Sequence, residues 1–180
     1  VKIVLFFKGS ENYDFLRWLA VPAGFEQLAK YPWTVISYMF THEGFLHILL
    51  NLLAFFWFGK LFLQFLSQRQ LLGVYILGGI TGAIFYIAAF NLIPAFSHVL
   101  PVSVAMGASA SVMAIVFSVA VLVPYQEVYL LFFGKVKLKY LAIGVILIDL
   151  ISIPAGNAGG HIAHLGGAFT GFIFVYFYRK

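Results

Sequence analysis

Cysteine is absent from the 180 residues, which excludes disulfides, thiolate metal sites and a cysteine nucleophile. Charge is nearly as scarce: 9% of residues are Asp, Glu, Lys or Arg, against roughly a quarter in soluble domains. With 63% hydrophobic residues and a mean hydropathy of +1.00, the chain has too few polar groups to cover a water-facing surface. Its solvent is therefore largely lipid. Acid is the rarer sign, six Asp and Glu against eleven Lys and Arg. The basic residues sit scattered at the edges of apolar runs, as membrane orientation signals do, and this argues against a nucleic-acid partner. Internal repeats, low-complexity tracts and domain-dividing linkers are also lacking, so a single domain over 1–180 is expected.

What is present is apolar and aromatic. Five apolar runs, each near the length needed to cross a hydrocarbon core of about 30 Å, cover roughly Phe45–Gln64, Leu71–Ile93, Val104–Val123, Tyr140–Ala155 and His161–Tyr178. The stretch Val128–Phe133 is apolar but interrupted by Gly134 and three lysines, and reads as a re-entrant or interfacial piece. The N-terminal residues 1–8 are too short to span and lack a small-residue cleavage site. They read as the end of a transmembrane helix truncated in this chain, with a short interfacial anchor as the alternative. Between them and the first run, residues 9–44 contain Pro22, Pro32, Gly24 and a Phe15–Leu16–Trp18–Leu19 cluster suited to a loop in the membrane surface. The fold class expected is all-α, a polytopic membrane helical bundle.

The connections set an orientation. Ser67–Gln70 carries Arg69 with Lys60 nearby, Pro124–Lys139 carries Lys135, Lys137 and Lys139, and the chain ends in Arg179-Lys180. Pro94–Ser103 and Ile153–Gly160 hold no Lys or Arg. The positive-inside rule places the first three in the cytoplasm and the last two outside. A bacterial inner (plasma) membrane is the expected location, with the site described next opening to the outer side.

The first, third and fifth runs then enter from the outer face. His47, Ser109 and His164 lie a few residues into them, within about one helical turn of a common depth at 1.5 Å rise per residue. Asn51 follows His47 by four residues and shares its helix face. Polar groups at such depth are costly and face the bundle interior with a partner. Together they fit the chemistry of a serine hydrolase: Ser109 is the expected nucleophile, His164 the base that activates it, and His47, Asn51 and the Ser109 backbone N–H the expected oxyanion donors. Asp149, the only acid within the runs, is left outside the catalytic set. The small residues Gly107 to Ser111 and the Gly167/Gly171 pair would let the third and fifth runs approach closely.

At these residues the chain resembles the rhomboid intramembrane serine protease family. His42-Glu43-Gly44-Phe45-Leu46-His47-Ile48-Leu49-Leu50-Asn51 looks like the family's histidine–asparagine motif. Met106-Gly107-Ala108-Ser109-Ala110 is similar to its Gly-x-Ser-Gly motif, and His164-Leu165-Gly166-Gly167-Ala168-Phe169-Thr170-Gly171 to its catalytic-histidine motif. The resemblance implies a six-helix core with the first helix truncated, residues 9–44 as the membrane-embedded first loop, and a Ser109–His164 dyad with His47 and Asn51 at the oxyanion. It also implies single-span membrane proteins as substrates, and no cofactor. Two positions depart from the pattern: Ala110 stands where glycine is usual, and Trp33-Thr34 where Trp-Arg is usual.

Competing assignments are weaker. Ser111 lies on another face of its helix and reads as a packing residue. His161 reads as a rim residue, His42 as a brace for the first loop, and His98 as solvated. A metal site built from His42, His47, His161 and His164 is disfavoured, because carboxylate or thiolate partners beyond Glu43 and Asp149 are lacking; no metal partner is expected. A proteolytically inactive relative that binds membrane clients is the main alternative to an active enzyme.

Overall fold

The computed structural model describes residues 18–130 and 134–180. The expected end of helix one and the loop up to residue 17 lie outside the described residues. Seven helices are present among them. Two short ones, α1 (Phe25–Lys30) and α2 (Thr34–Ser37), belong to the first loop. Five follow in the apolar runs: α3 (Phe45–Phe62), α4 (Gln68–Leu92), α5 (Ser109–Leu122), α6 (Leu138–Ser152) and α7 (Ala158–Tyr178). Four stretches, α3, α4, α7 and α6 continued to Ala155, are long and apolar enough to cross a membrane. The fold is a helical membrane bundle, as the composition requires.

The helix of the third apolar run differs. The run Val104–Val123 is helical only from Ser109, so α5 has 14 residues and a length of about 21 Å at 1.5 Å per residue. That is short of the roughly 30 Å hydrocarbon core. Ten of its residues are buried, because α3, α4, α6 and α7 all pack against it. Ahead of it, Val104–Ala105 forms a strand (β2) that pairs antiparallel with β1 (Val21–Pro22), Val21 opposite Ala105 and Pro22 opposite Val104. Ser109 is thus the first residue of its helix rather than a residue one turn into it.

Glycine faces allow the close packing. A methyl group at Gly167 would strike the Ala110 backbone, and one at Gly171 the Ala114 carbonyl and the Ser118 amide. The small-residue faces of α5 and α7 therefore meet as the sequence suggests. On the other side of α5, a methyl at Gly82 would lie 2.5 Å from the Ala110 Cβ. Gly82 makes the room that Ala110, in its departure from glycine, requires. Ser111 is fully buried against Gly79 of α4.

Between α5 and α6 the chain forms a hairpin, β3 (Glu127–Leu130) with β4 (Gly134–Lys137), Val128 opposite Val136 and Glu127 opposite Lys137. The expected re-entrant or interfacial segment is, in its described part, a strand. Lys135 and Lys137 are exposed while Val136 is half-buried, the two-residue alternation of a strand edge. At the same end of the bundle, the Arg179 guanidinium donates to the carbonyls of Val121 (3.0 Å) and Leu122 (2.6 Å). A cation there complements the negative C-terminus of α5. This clip holds the ends of α5 and α7 side by side, consistent with one basic face shared by the Pro124–Lys139 connection and the C-terminus.

Candidate active site

The first loop is braced internally, and tied to the bundle, by side chains donating to backbone carbonyls. The Trp33 indole donates to Trp18 (2.8 Å), the Thr34 hydroxyl to Tyr31 (2.6 Å) and Ser37 to Leu19 (2.8 Å). Tyr38, almost fully buried, donates to the Gly79 carbonyl, and Asn91 on α4 donates to Ala23 at 2.8 Å. Thr34, where the family pattern has arginine, is itself fully buried and bonded within the loop. The loop is therefore braced without that arginine.

From this loop two contacts fix the approach to Ser109. The Gly107 amide donates to the Tyr38 carbonyl at 2.9 Å, and the Ala108 amide donates to His42 Nε2 at 3.2 Å. His42 is buried and stands edge-on to His47, ring centroids 5.0 Å apart. Its contact with the Ala108 amide joins the loop to the residue before Ser109. Gly107 has φ +130°, a conformation side chains rarely adopt. A methyl there would lie 2.8 Å from His47 Nε2 and 3.7 Å from Ser109 Oγ. His47 and Ser109 thus flank a position that must stay bare. Ser109 opens α5, and its N–H is one of the first-turn amides that a helix cannot pair internally. Those amides and the positive end of the helix dipole suit a developing negative oxygen.

A cavity of about 1030 Å³ gathers the residues singled out from the sequence: His47, Asn51, Ser109 and His164 all line it. Its wall also includes Leu50, Ala54 and Trp57 of α3, and Leu141 and Val145 of α6. Asn51 is nearly buried and spends one amide hydrogen on the His47 carbonyl at 2.9 Å, leaving the other for the cavity. Ser109 and His164 share the cavity without a direct hydrogen bond between them. His98 is exposed and takes no part.

The histidine's second partner was not legible in the sequence. Asp149 on α6 is buried, and its Oδ1 lies 2.9 Å from His164 Nδ1 and 2.7 Å from His161 Nδ1. His161 is therefore a partner of this carboxylate and not only a rim residue. Beside an ionised carboxylate, which only accepts, both rings donate from Nδ1, and a neutral His164 then has its lone pair on Nε2. Asp149 Oδ2 is buried with no hydrogen-bond partner among the described residues. These same three residues, not the four histidines weighed from the sequence, bring potential metal-ligand atoms within 4.8 Å of one another.

Comparison with known proteins agrees with the motifs. The family model described as the Rhomboid domain matches residues 29–180. The chain is similar to RHOMBOID-like protein 12, mitochondrial, of Arabidopsis thaliana, 31% identical over 144 residues that cover 75% of this chain and 43% of that protein. It is also similar to Presenilin-associated rhomboid-like protein A, mitochondrial, of Danio rerio, 25% identical over 154 residues, covering 73% of this chain and 34% of that protein. The chain spans less than half the length of these relatives. Their names are mitochondrial, so they lend no support to the bacterial inner membrane expected above.

Proposed function

The chain belongs to the rhomboid family, and on that premise we propose that it is an intramembrane serine protease cleaving single-span membrane proteins in or near their transmembrane segment. The observation that carries this reading is that one cavity is lined both by Ser109, at the head of a buried helix, and by His164, whose Nδ1 lies beside Asp149. His164 Nε2 takes the Ser109 proton as the hydroxyl attacks the scissile carbonyl, then returns it to the leaving amine. Negative charge on the carbonyl oxygen is met by the Ser109 N–H, the free Asn51 amide hydrogen and His47. His42 and Gly107 hold that geometry, and no cofactor is required.

The cavity wall formed by α3 and α6 suits a transmembrane substrate. Only 17% of each helix's span is buried, so an unwound segment in the lipid can reach Ser109 between them. Unwinding matters because helical carbonyls are already hydrogen-bonded. Residues 1–180 act as one such domain, with the cavity open toward the face opposite the C-terminus.

The missing Ser109–His164 hydrogen bond favours the rival reading, an inactive relative that binds membrane clients. Catalytic hydrogen bonds are often long without substrate and tighten on binding, so activity is the better account. Ser109→Ala decides between them. In proteoliposomes with a single-span reporter substrate, the wild-type chain cleaves and is labelled by a fluorophosphonate, and the variant does neither while keeping its Tm. Equal cleavage by both chains would overturn the assignment.

A further inference from the structure

We propose that Asp149, His161 and His164 form a binding site for a divalent transition-metal ion of the zinc type, and that metal bound there switches off the proposed protease. The second half rests on the reading of Ser109 and His164 given above; the site itself does not.

The donor set is two imidazoles and one carboxylate, a combination that zinc takes readily. His161 and His164 are three residues apart on α7 and so share a helix face, while Asp149 comes from the neighbouring α6. Both Nδ1 atoms already converge on one oxygen, at 2.7 and 2.9 Å. Tetrahedral ligands about 2.0–2.1 Å from zinc lie roughly 3.3 Å apart, so the rings need to withdraw only a few tenths of an ångström. The buried Oδ2, which no described residue partners, gives the carboxylate a second ligand atom for the ion. Asp149 is the only acid in the apolar runs, and an unneutralised carboxylate at that depth is costly. The imidazoles are reachable, their side chains 20% and 23% exposed, and His164 lines the cavity.

The inhibitory effect follows from ring chemistry. A neutral imidazole has one lone pair and one N–H. When Nδ1 donates to Asp149, the lone pair is on Nε2, where Ser109 needs it. When a metal occupies the Nδ1 lone pair, the proton must reside on Nε2, and His164 can no longer accept from the serine. His164 can serve only one of the two at a time.

Cobalt(II) provides a spectroscopic probe. The Ser109→Ala chain, purified in detergent, is titrated with Co²⁺ and then with competing Zn²⁺. A visible d–d band that saturates at one ion per chain and is displaced by zinc is expected. His161→Ala, or His161→Gln should the smaller side chain fail to fold, weakens Co²⁺ binding at least about tenfold, since even outer-shell losses cost 10- to 100-fold. No band, or unchanged affinity in a folded His161 variant, overturns the site. In the wild-type chain, Zn²⁺ should suppress fluorophosphonate labelling reversibly with a chelator, and His161→Ala should relieve the suppression when each chain is compared with its own metal-free rate. Labelling that persists at saturating zinc overturns the switch. A wild-type chain that neither labels nor cleaves without metal refutes the protease reading and the switch with it, while the cobalt titration still decides the site.

Discussion

Replacing Asp149 by asparagine tests how His164, the proposed base, is held. The carboxylate is buried and bonded through Oδ1 to His164 Nδ1 at 2.9 Å. A hydrogen bond to a charged group contributes about 1.5–3 kcal/mol. At about 1.4 kcal/mol per decade of rate, its loss lowers kcat roughly 10- to 150-fold. The amide can also donate to Nδ1, which moves the ring proton to Nε2 and removes the acceptor that Ser109 requires. KM should stay near the wild-type value, because Asp149 does not line the cavity. A neutral amide is cheaper to hold in a bilayer than a carboxylate, so Tm should hold or rise. That opposition separates a positioning role from a purely structural one. The assay is cleavage of a single-span reporter in proteoliposomes, with fluorophosphonate labelling of Ser109 and thermal unfolding in parallel. Cleavage and labelling within twofold of wild type would refute the reasoning, as would a fall in activity matched by an equal collapse in Tm.

Two substitutions test the frame around the serine. Gly107→Ala places a methyl 2.8 Å from His47 Nε2 at φ +130°, a strain of about 1–3 kcal/mol; cleavage should drop by about tenfold or more with a smaller change in Tm, read by the same reporter and melting assays. Gly167→Val drives a branched side chain into the Ala110 backbone, and overpacking of this kind costs about 1–3 kcal/mol. It should lower Tm and broaden the size-exclusion profile in detergent, whereas a wild-type melting curve would show that α5 and α7 do not meet at that glycine.

Hydropathy made the bundle legible because lipid imposes length and composition on every crossing segment. The motif positions carried the site for a similar reason, since His47, Asn51, Ser109 and His164 stand out as polar groups where polarity is expensive. The start of α5 was not legible. Val104, Ala105 and Met106 are as apolar as the helix they precede, and the turn at Gly107 is fixed by bonds to Tyr38 and His42, residues more than sixty positions away. The β3–β4 hairpin did leave a trace in the alternation of Lys135, Val136 and Lys137, masked by the apolar residues before it. Asp149 was visible as the lone acid in the runs, but its pairing depends on the rotation of α6 against α7, which periodicity does not specify. Its role therefore came only from geometry.

The brevity of α5 has a consequence for the lipid environment. A segment crossing a bilayer normally adjusts its tilt to the thickness around it, but a 14-residue core helix walled in by its neighbours touches little lipid and has nothing to match. Thinner or thicker membranes deform the outer ring of helices first. The depth of Ser109 is set from within, by a strand pairing at one end and an arginine at the other, so this serine keeps its level while the surroundings flex.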